Sequence, residues 1–474
     1  MVVLPKSVVI IGAGAAGLFS ARRLRQLGVQ DITLLEKEPK EGGKCSTYLD
    51  PNIPHLQAEK GAVIVAPNYG VVLDAMIEKN IKTTQLPPSN VDTIAFIHQI
   101  NALSRFGKVK FALKFSLELI KFWRGVWIYN KARKHAKPLP DDLELPFSVY
   151  TKKYGLENIN QFLKLLVTAF GYGAMEECPT YSILEYIGYA TIPSIVSGHY
   201  GYPSIGLNSL REGFQHLMTE IAKDFNVEKS VAIQQIVRNN ESVSVQYTQP
   251  KIGITKHLTA DLLILAVPPV HWKELFTNDQ LSLVEAECIQ HLTHYRYPIA
   301  ICRIKNTGLT YIPEALERKQ FGHVALICTC DKTQDPENGR LCTVYINVPP
   351  GDNTFTKENT AARILEDLYK IPGVTEVTIL EIKIWEDYFC SLPWKQRLAL
   401  EQQQFAASTR TMYAGSYTLG SFEDVACIAN RAAEVIDSHY QVPSSKLSDF
   451  RKACRRFFQY RKLYEPSDPQ PDKN

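Results

Sequence analysis

The chain has 474 residues, 45% of them hydrophobic, and a net charge of only +4. That length and composition allow two or three domains with ample core and exclude a small disulfide scaffold or a disordered polyampholyte. Ten scattered cysteines without a C-x-x-C pair fit reduced thiols. No stretch of about 18 uncharged apolar residues occurs, so no membrane-spanning helix is expected. Lys6 leads directly into a strand-like run, so no secretory leader is expected, and the expected location is cytoplasmic.

In chain order, residues 8–11 and 32–35 read as buried parallel strands around a helix at about 15–27. Between them lies Gly12-Ala13-Gly14-Ala15-Ala16-Gly17, a G-x-G-x-x-G turn, and the second strand ends in the acid Glu36. A turn of this kind gives a pyrophosphate free N–H groups and the positive end of a helix. Gly12 permits the tight turn, Gly14 the close approach of the phosphates, and Gly17 close helix packing, while Glu36 can accept ribose hydroxyls. The motif predicts a bound dinucleotide. Ala15, Ala16 and Lys37 belong to the same expected contact surface. Glu41-Gly42-Gly43-Lys44-Cys45 follows, and its glycines expose backbone to a phosphate or a flat ring.

Residues 71–205 are mostly helical by pattern, through Val71–Lys79, Phe106–Tyr129, Ile159–Phe170 and Ile183–Tyr189. Val231 to Val245 alternates as strands across Asn239-Asn240, and Leu262–Val267 is a buried strand stopped by Pro268-Pro269. Strand-like runs at Ala300–Lys305, His323–Cys328 and Cys342–Asn347 precede a helix at Asn359–Tyr369. Tyr413-Ala414-Gly415 is a short strand and turn that leads to a helix at about 423–436. The Pro/Asp/Lys-rich end, from about Glu465, reads as disordered.

Three stretches occur in the order and spacing of one superfamily: Gly12–Gly17 with Glu36, Gly42-Gly43-Lys44, and Tyr413-Ala414-Gly415 through Ala429. On these residues the chain resembles the flavin amine oxidases over about residues 7–437. Within that superfamily it is most similar to the bacterial polyenoic fatty acid isomerases. Leu145-Pro146-Phe147, Thr168-Ala169-Phe170-Gly171-Tyr172-Gly173, Phe214-Gln215-His216-Leu217 and Gly420-Ser421-Phe422-Glu423-Asp424-Val425 carry this closer likeness. The resemblance implies an α/β fold: a Rossmann-type FAD-binding domain assembled from separated segments (1–70, 205–270 and 405–440) and an α+β substrate domain (71–204 and 271–404). A basic helix and tail would occupy 441–474. It implies FAD, with Gly43, Lys44, Gly61, Ala62, Val63 and Ile64 along the cofactor. Val231 would lie by the adenine. Gly415, Ser416, Phe422, Glu423, Asp424 and Val425 would surround the ribityl chain and pyrimidine edge. It further implies hydride transfer on a long polyunsaturated substrate, with double-bond isomerisation.

Two positions depart from that pattern. Ser416 stands where the superfamily commonly has an acid, and no arginine occurs in 84–90, where the isomerases are expected to bind a carboxylate. Lys82 and Arg105 are candidate substitutes. An amine oxidase releasing peroxide, or a flavin-binding protein with a degenerate site, therefore stays open. Phe170, Tyr172, Tyr189 and Tyr417 are the expected reaction-chamber residues, with Tyr186 and Trp385 as further wall candidates. Cys390 lacks the context for a covalent link, so the FAD is expected to be non-covalent. His98, His199, His291 and His294 show no ligand spacing, and no metal is expected.

Charge is unevenly placed. Residues 105–137 carry ten Lys/Arg against Glu118 alone, and 446–463 carry seven against Asp449. Interleaved with aromatics, either segment fits peripheral contact with an anionic membrane or a merely solvated helix face. No nucleic-acid fold accompanies the charge.

Overall fold

The structure is a computed structural model that describes residues 3–53, 56–85, 100, 102–168, 170–199, 207–250, 253–276, 280–306, 321–329, 339–443 and 446–465. The expected disordered tail past Glu465, His98, Ala169, most of the 84–90 stretch and the domain boundary at 204–205 lie outside these residues.

Five parallel strands form one sheet, in the order Thr411–Tyr413, Leu262–Leu265, Ser7–Ile11, Asp31–Leu35, Asn226–Glu228. Val8 pairs with Leu262 on one side and Ile32 on the other, so the first strand of the chain is central. Both faces of that strand are covered, which is why it reads as a continuous β-branched run rather than an alternation. Val8 and Ile10 face a layer of helices, including Ala15–Leu27, Val71–Glu78, Gly213–Ala222 and Val425–His439. Val9 and Ile11 face a three-stranded antiparallel sheet (Ala232–Arg238, Val243–Gln249, Ile254–Ala260) together with Trp272 and Tyr417. Segments some 400 residues apart in sequence thus build one nucleotide-type sheet, as the separated apolar runs imply.

The second sheet has four antiparallel strands, in the order His323–Thr329, Arg340–Asn347, Thr293–Asn306, Val374–Ser391. Its residues alternate between two cores. Ala300, Cys302 and Ile304 pack under the helix Lys357–Leu368, while Tyr295, Tyr297 and Ile299 point into a helical cluster. That cluster is built from Arg105–Lys134, Phe147–Tyr154, Glu157–Thr168 and Thr180–Ile187. The 18-residue strand Val374–Ser391 and the helix Trp394–Gln403 have no counterpart in the sequence reading. The strand reaches from solvent into the central cleft, and its outer half carries Glu376, Glu381 and Lys383, which conceal its period. Among the described residues, no helix is long and apolar enough to cross a membrane.

Candidate active site

The nucleotide end of the site is the turn after the first strand. Gly12 has φ 98°, and its N–H donates to Leu35 O at 2.9 Å, closing the turn against the second strand. A Cβ on Gly17 would lie 2.0 Å from Gly12 O, so only glycine lets the helix press this closely on the turn. The second glycine pair rests on the first: Gly42 N donates to Ala13 O at 2.8 Å. Glu36 is 6% exposed, and its carboxylate accepts from Ala13 N at 2.8 Å and Glu38 N at 2.9 Å. Burial raises its pKa, and these two N–H donors partly offset the rise.

From this turn a cavity of about 810 Å³ runs to the second sheet. Its middle is formed by the segment Ala414–Asp424. Arg397 fixes that segment from behind. The guanidinium is 1% exposed; Nη1 donates to the carbonyls of Ser416 (2.7 Å), Thr418 (2.7 Å) and Ser421 (2.9 Å), and Nε to Leu392 O (2.9 Å). Lys44 Nζ meets Glu423 at 2.8 Å, tying the Gly42-Gly43 loop to this segment. Asp424 caps the helix Val425–His439 by accepting from Ala426 N and Cys427 N, and it also receives the Tyr69 hydroxyl at 3.0 Å. Burial raises the pKa of Asp424, against the pull of those donors.

The far end is aromatic and apolar. Tyr172 donates its hydroxyl to Glu423 O at 2.7 Å, and its ring lies 4.6 Å from Phe422 and 5.2 Å from Tyr186. Burial holds the Tyr172 and Tyr186 phenols far above their ordinary pKa, so both stay neutral. Leu166, Phe170 and Ile187 complete this end. One wall comes from the strand Val374–Ser391. There Trp385 donates to Lys60 O at 2.6 Å, Lys383 sits 4.7 Å over the Trp385 ring, and Asp387 lies 2.8 Å from His271 Nε2. Burial alone would raise the Asp387 pKa; the His271 contact together with the charges of Lys44 and His294 outweighs it, and the net shift is downward.

The cavity brings together Gly12, Gly14, Ala15, Ala16, Glu36, Lys37, Gly43, Lys44, Gly61, Ala62, Val63, Ile64, Phe170, Tyr172, Gly415, Ser416, Tyr417, Glu423, Asp424 and Val425. Gly17 lies beneath the turn, and Phe422 stands one layer behind Tyr172 and Tyr186. Val231 is buried in the core beside the three-stranded sheet, outside the cavity lining; it reaches Glu36 only through its N–H, which donates to Glu36 O at 3.0 Å.

Two expected chamber residues need correction. Tyr189 is 46% exposed and tilts against Trp123, because its helix ends at Ile187 and the chain turns outward at Gly188, with φ 55°. Tyr417 lines the cavity, but its hydroxyl is spent on Leu265 O at 2.7 Å, which makes it a brace of the sheet. Neither suggested cation substitute lines the cavity: Lys82 is 3.8 Å from Glu465, and Arg105 is exposed at the start of its helix. Cys390 is buried outside the lining, its thiol pushed up to about 12 by burial. His271, Asp387, Tyr388, Lys383 and Arg397 went unnoticed in the sequence. Only the Pro268-Pro269 stop before His271 offered a cue.

These residues fit FAD. A double-glycine cradle, the acid Glu36 and the N-terminus of the helix Ala15–Leu27 stand at one end, and a buried turn with an aromatic chamber stands at the other. The flavin-containing amine oxidoreductase family model matches residues 15–437, and the chain belongs to that family. It is accordingly an FAD-binding flavoenzyme. Among curated relatives, it is 24% identical over 323 residues to the FAD-dependent oxidoreductase oblC of Cochliobolus heterostrophus, covering 65% of this chain and 62% of that protein. It is 24% identical over 326 residues to beta-cyclopiazonate dehydrogenase of Aspergillus flavus, covering 65% and 64%. The match thus spans somewhat under two thirds of those relatives' length. Among solved structures, the fatty acid isomerase from P. acnes that produces CLA superposes with TM-score 0.71 at 21% identity, over 93% of this chain and all of that one. Putrescine oxidase bound to putrescine superposes with TM-score 0.62 at 15% identity, over 91% and 99%. At these identities the likeness is one of fold.

Proposed function

We propose that this flavoenzyme acts by hydride transfer on a long, apolar, polyunsaturated acyl substrate and relocates a double bond. The observation that carries this reading is the state of the carboxylates around the flavin end. Glu423 is paired with Lys44, Asp387 with His271, and Glu386 with Arg296 at 2.5 Å. Glu185 receives the Tyr129 hydroxyl at 2.6 Å, and Asp424 is engaged as a helix cap. Among the described residues an ammonium substrate would find no uncommitted carboxylate there, whereas an apolar chain would find Leu166, Phe170, Tyr186 and Ile187.

The bound flavin would supply the acceptance and return of a hydride. The protein's share is placement and dryness. Tyr172 and Tyr186 stay neutral and wall off water. Lys44 and Lys60 are ion-paired with Glu423 and Glu381, so among the described residues at this end Lys383 is the cation we assign to a substrate carboxylate. The test is anaerobic incubation of the yellow holoenzyme with linoleate, followed by ultraviolet absorbance. A conjugated diene formed without oxygen supports the reading. No diene, with peroxide released from amines in air, replaces it with amine oxidation.

A further inference from the structure

We propose that the outer stripe of the helix Arg105–Lys134 is a docking surface for an anionic lipid bilayer. Phe106 is 81% exposed, Leu113 64%, Leu117 62% and Ile120 59%, with Val109 and Trp127 close behind. At 100° per residue these six fall within about 80° of arc, an apolar line interrupted by Arg124 on a helix about 45 Å long. Six large apolar side chains in such a line form a patch that marks an interaction site.

The cations of the stripe fix the kind of partner. Lys110 and Lys121 flank it, while Arg124 and Lys131 fall within its arc, and the Lys131 ammonium sits 5.2 Å over the Trp127 ring. Glu118, the one acid of this helix, is turned inward at 2% exposure, where it accepts from Ile159 N and Asn158 Nδ2. Lys114 leans toward Glu118 and Glu157. The outward charge is otherwise all positive. A second copy of the chain laid on this face would set lysine against lysine, whereas an anionic bilayer accepts both the apolar line and its cations.

The other basic segment is built differently. In the helix Lys446–Leu463, Tyr460 and Leu463 are buried, and Arg456 is held by Asp74 at 2.6 Å. Phe457 and Phe458 are exposed there side by side, without the long apolar line of the first helix.

Docking along the first helix has a consequence for the site. Its inner face packs on Glu157–Thr168 and Thr180–Ile187, the helices that supply Leu166, Tyr186 and Ile187 to the cavity. A bilayer on the outer face therefore lies one helix layer from the helices that line the apolar end of the chamber.

Co-sedimentation of holoenzyme with vesicles tests this without any substrate, so it stands or falls separately from the acyl-chain reading. The enzyme is expected to pellet with phosphatidylcholine/phosphatidylglycerol vesicles and not with phosphatidylcholine alone. The pair K110Q/R124Q should weaken partitioning about thirtyfold. The pair L113S/L117S should weaken it at least about tenfold, with flavin content unchanged. Equal binding of variant and parent, or no pelleting with anionic vesicles, overturns the proposal. A lipid-free dimer abolished by L113S/L117S would also overturn it, in favour of a second copy.

Discussion

Replacing Arg397 with lysine probes the element that shapes the flavin end. Three carbonyls, those of Ser416, Thr418 and Ser421, converge on Nη1, and a fourth, that of Leu392, accepts from Nε. Nη1 carries two hydrogens, so the three acceptors share them, an arrangement that requires the turn to stay tightly wound. A lysine keeps the charge, but its ammonium sits on a single stem tip and cannot serve both Leu392 and the turn. Losing about two charge-assisted bonds, at about 1.5–3 kcal/mol each, puts the cost at about 3–6 kcal/mol, divided between folding and cofactor binding. If half of it falls on binding, the FAD dissociation constant rises by about tenfold or more. Fluorescence titration of apoprotein with FAD reads the binding share, and thermal unfolding without FAD reads the rest. A lysine variant that binds FAD within twofold of the parent and unfolds at the same temperature would refute the assignment of Arg397 as the positioning residue of the turn.

Other substitutions address separate links. Gly17→Ala puts a methyl 2.0 Å from a backbone oxygen; it should cost about 1–3 kcal/mol or more and yield protein poor in flavin, read as the absorbance ratio of the purified enzyme. Tyr172→Phe removes the donor to Glu423 O while keeping the ring; a loss of about 1–3 kcal/mol is expected in FAD binding or stability, measured by the same titration and melt. Glu59 is buried, with its pKa pushed up to about 8 from an ordinary 4.5. Its native form therefore keeps a proton that the unfolded chain has released. Stability from this group is full below pH 4.5 and falls as pH rises through about 8, by up to about 1.4 kcal/mol per unit. Glu59→Gln, which keeps an acceptor for Phe214 N, should flatten that slope in denaturant titrations across the same range.

The nucleotide end was legible because its signal is local. Gly12, Gly14, Gly17 and Glu36 lie within 25 consecutive residues, and Gly12 and Gly17 each answer a steric demand that spacing alone exposes. Leu262–Leu265 was legible for a related reason: a strand covered on both faces must be apolar throughout. The flavin end was legible only in part. His271 and Asp387 meet across 116 positions, and Arg397 acts on carbonyls, which leave no mark on the sequence of the turn. The strand Val374–Ser391 mixes exposed charges with Tyr388 and Phe389, so its wall-forming half has no period of its own. Tyr189 misled because helical periodicity was extended past Gly188, where the chain leaves the helix.

The claim that the chamber handles hydride chemistry on an apolar polyunsaturated chain is tested most directly by anaerobic stopped-flow absorbance. The substrate is linoleate, with and without deuterium at the carbon between its double bonds. The account predicts bleaching of the flavin, slowed by deuterium, followed by recovery of the oxidised spectrum without oxygen as conjugated diene accumulates. A flavin left oxidised by every polyunsaturated acid, but bleached by an amine, would contradict it.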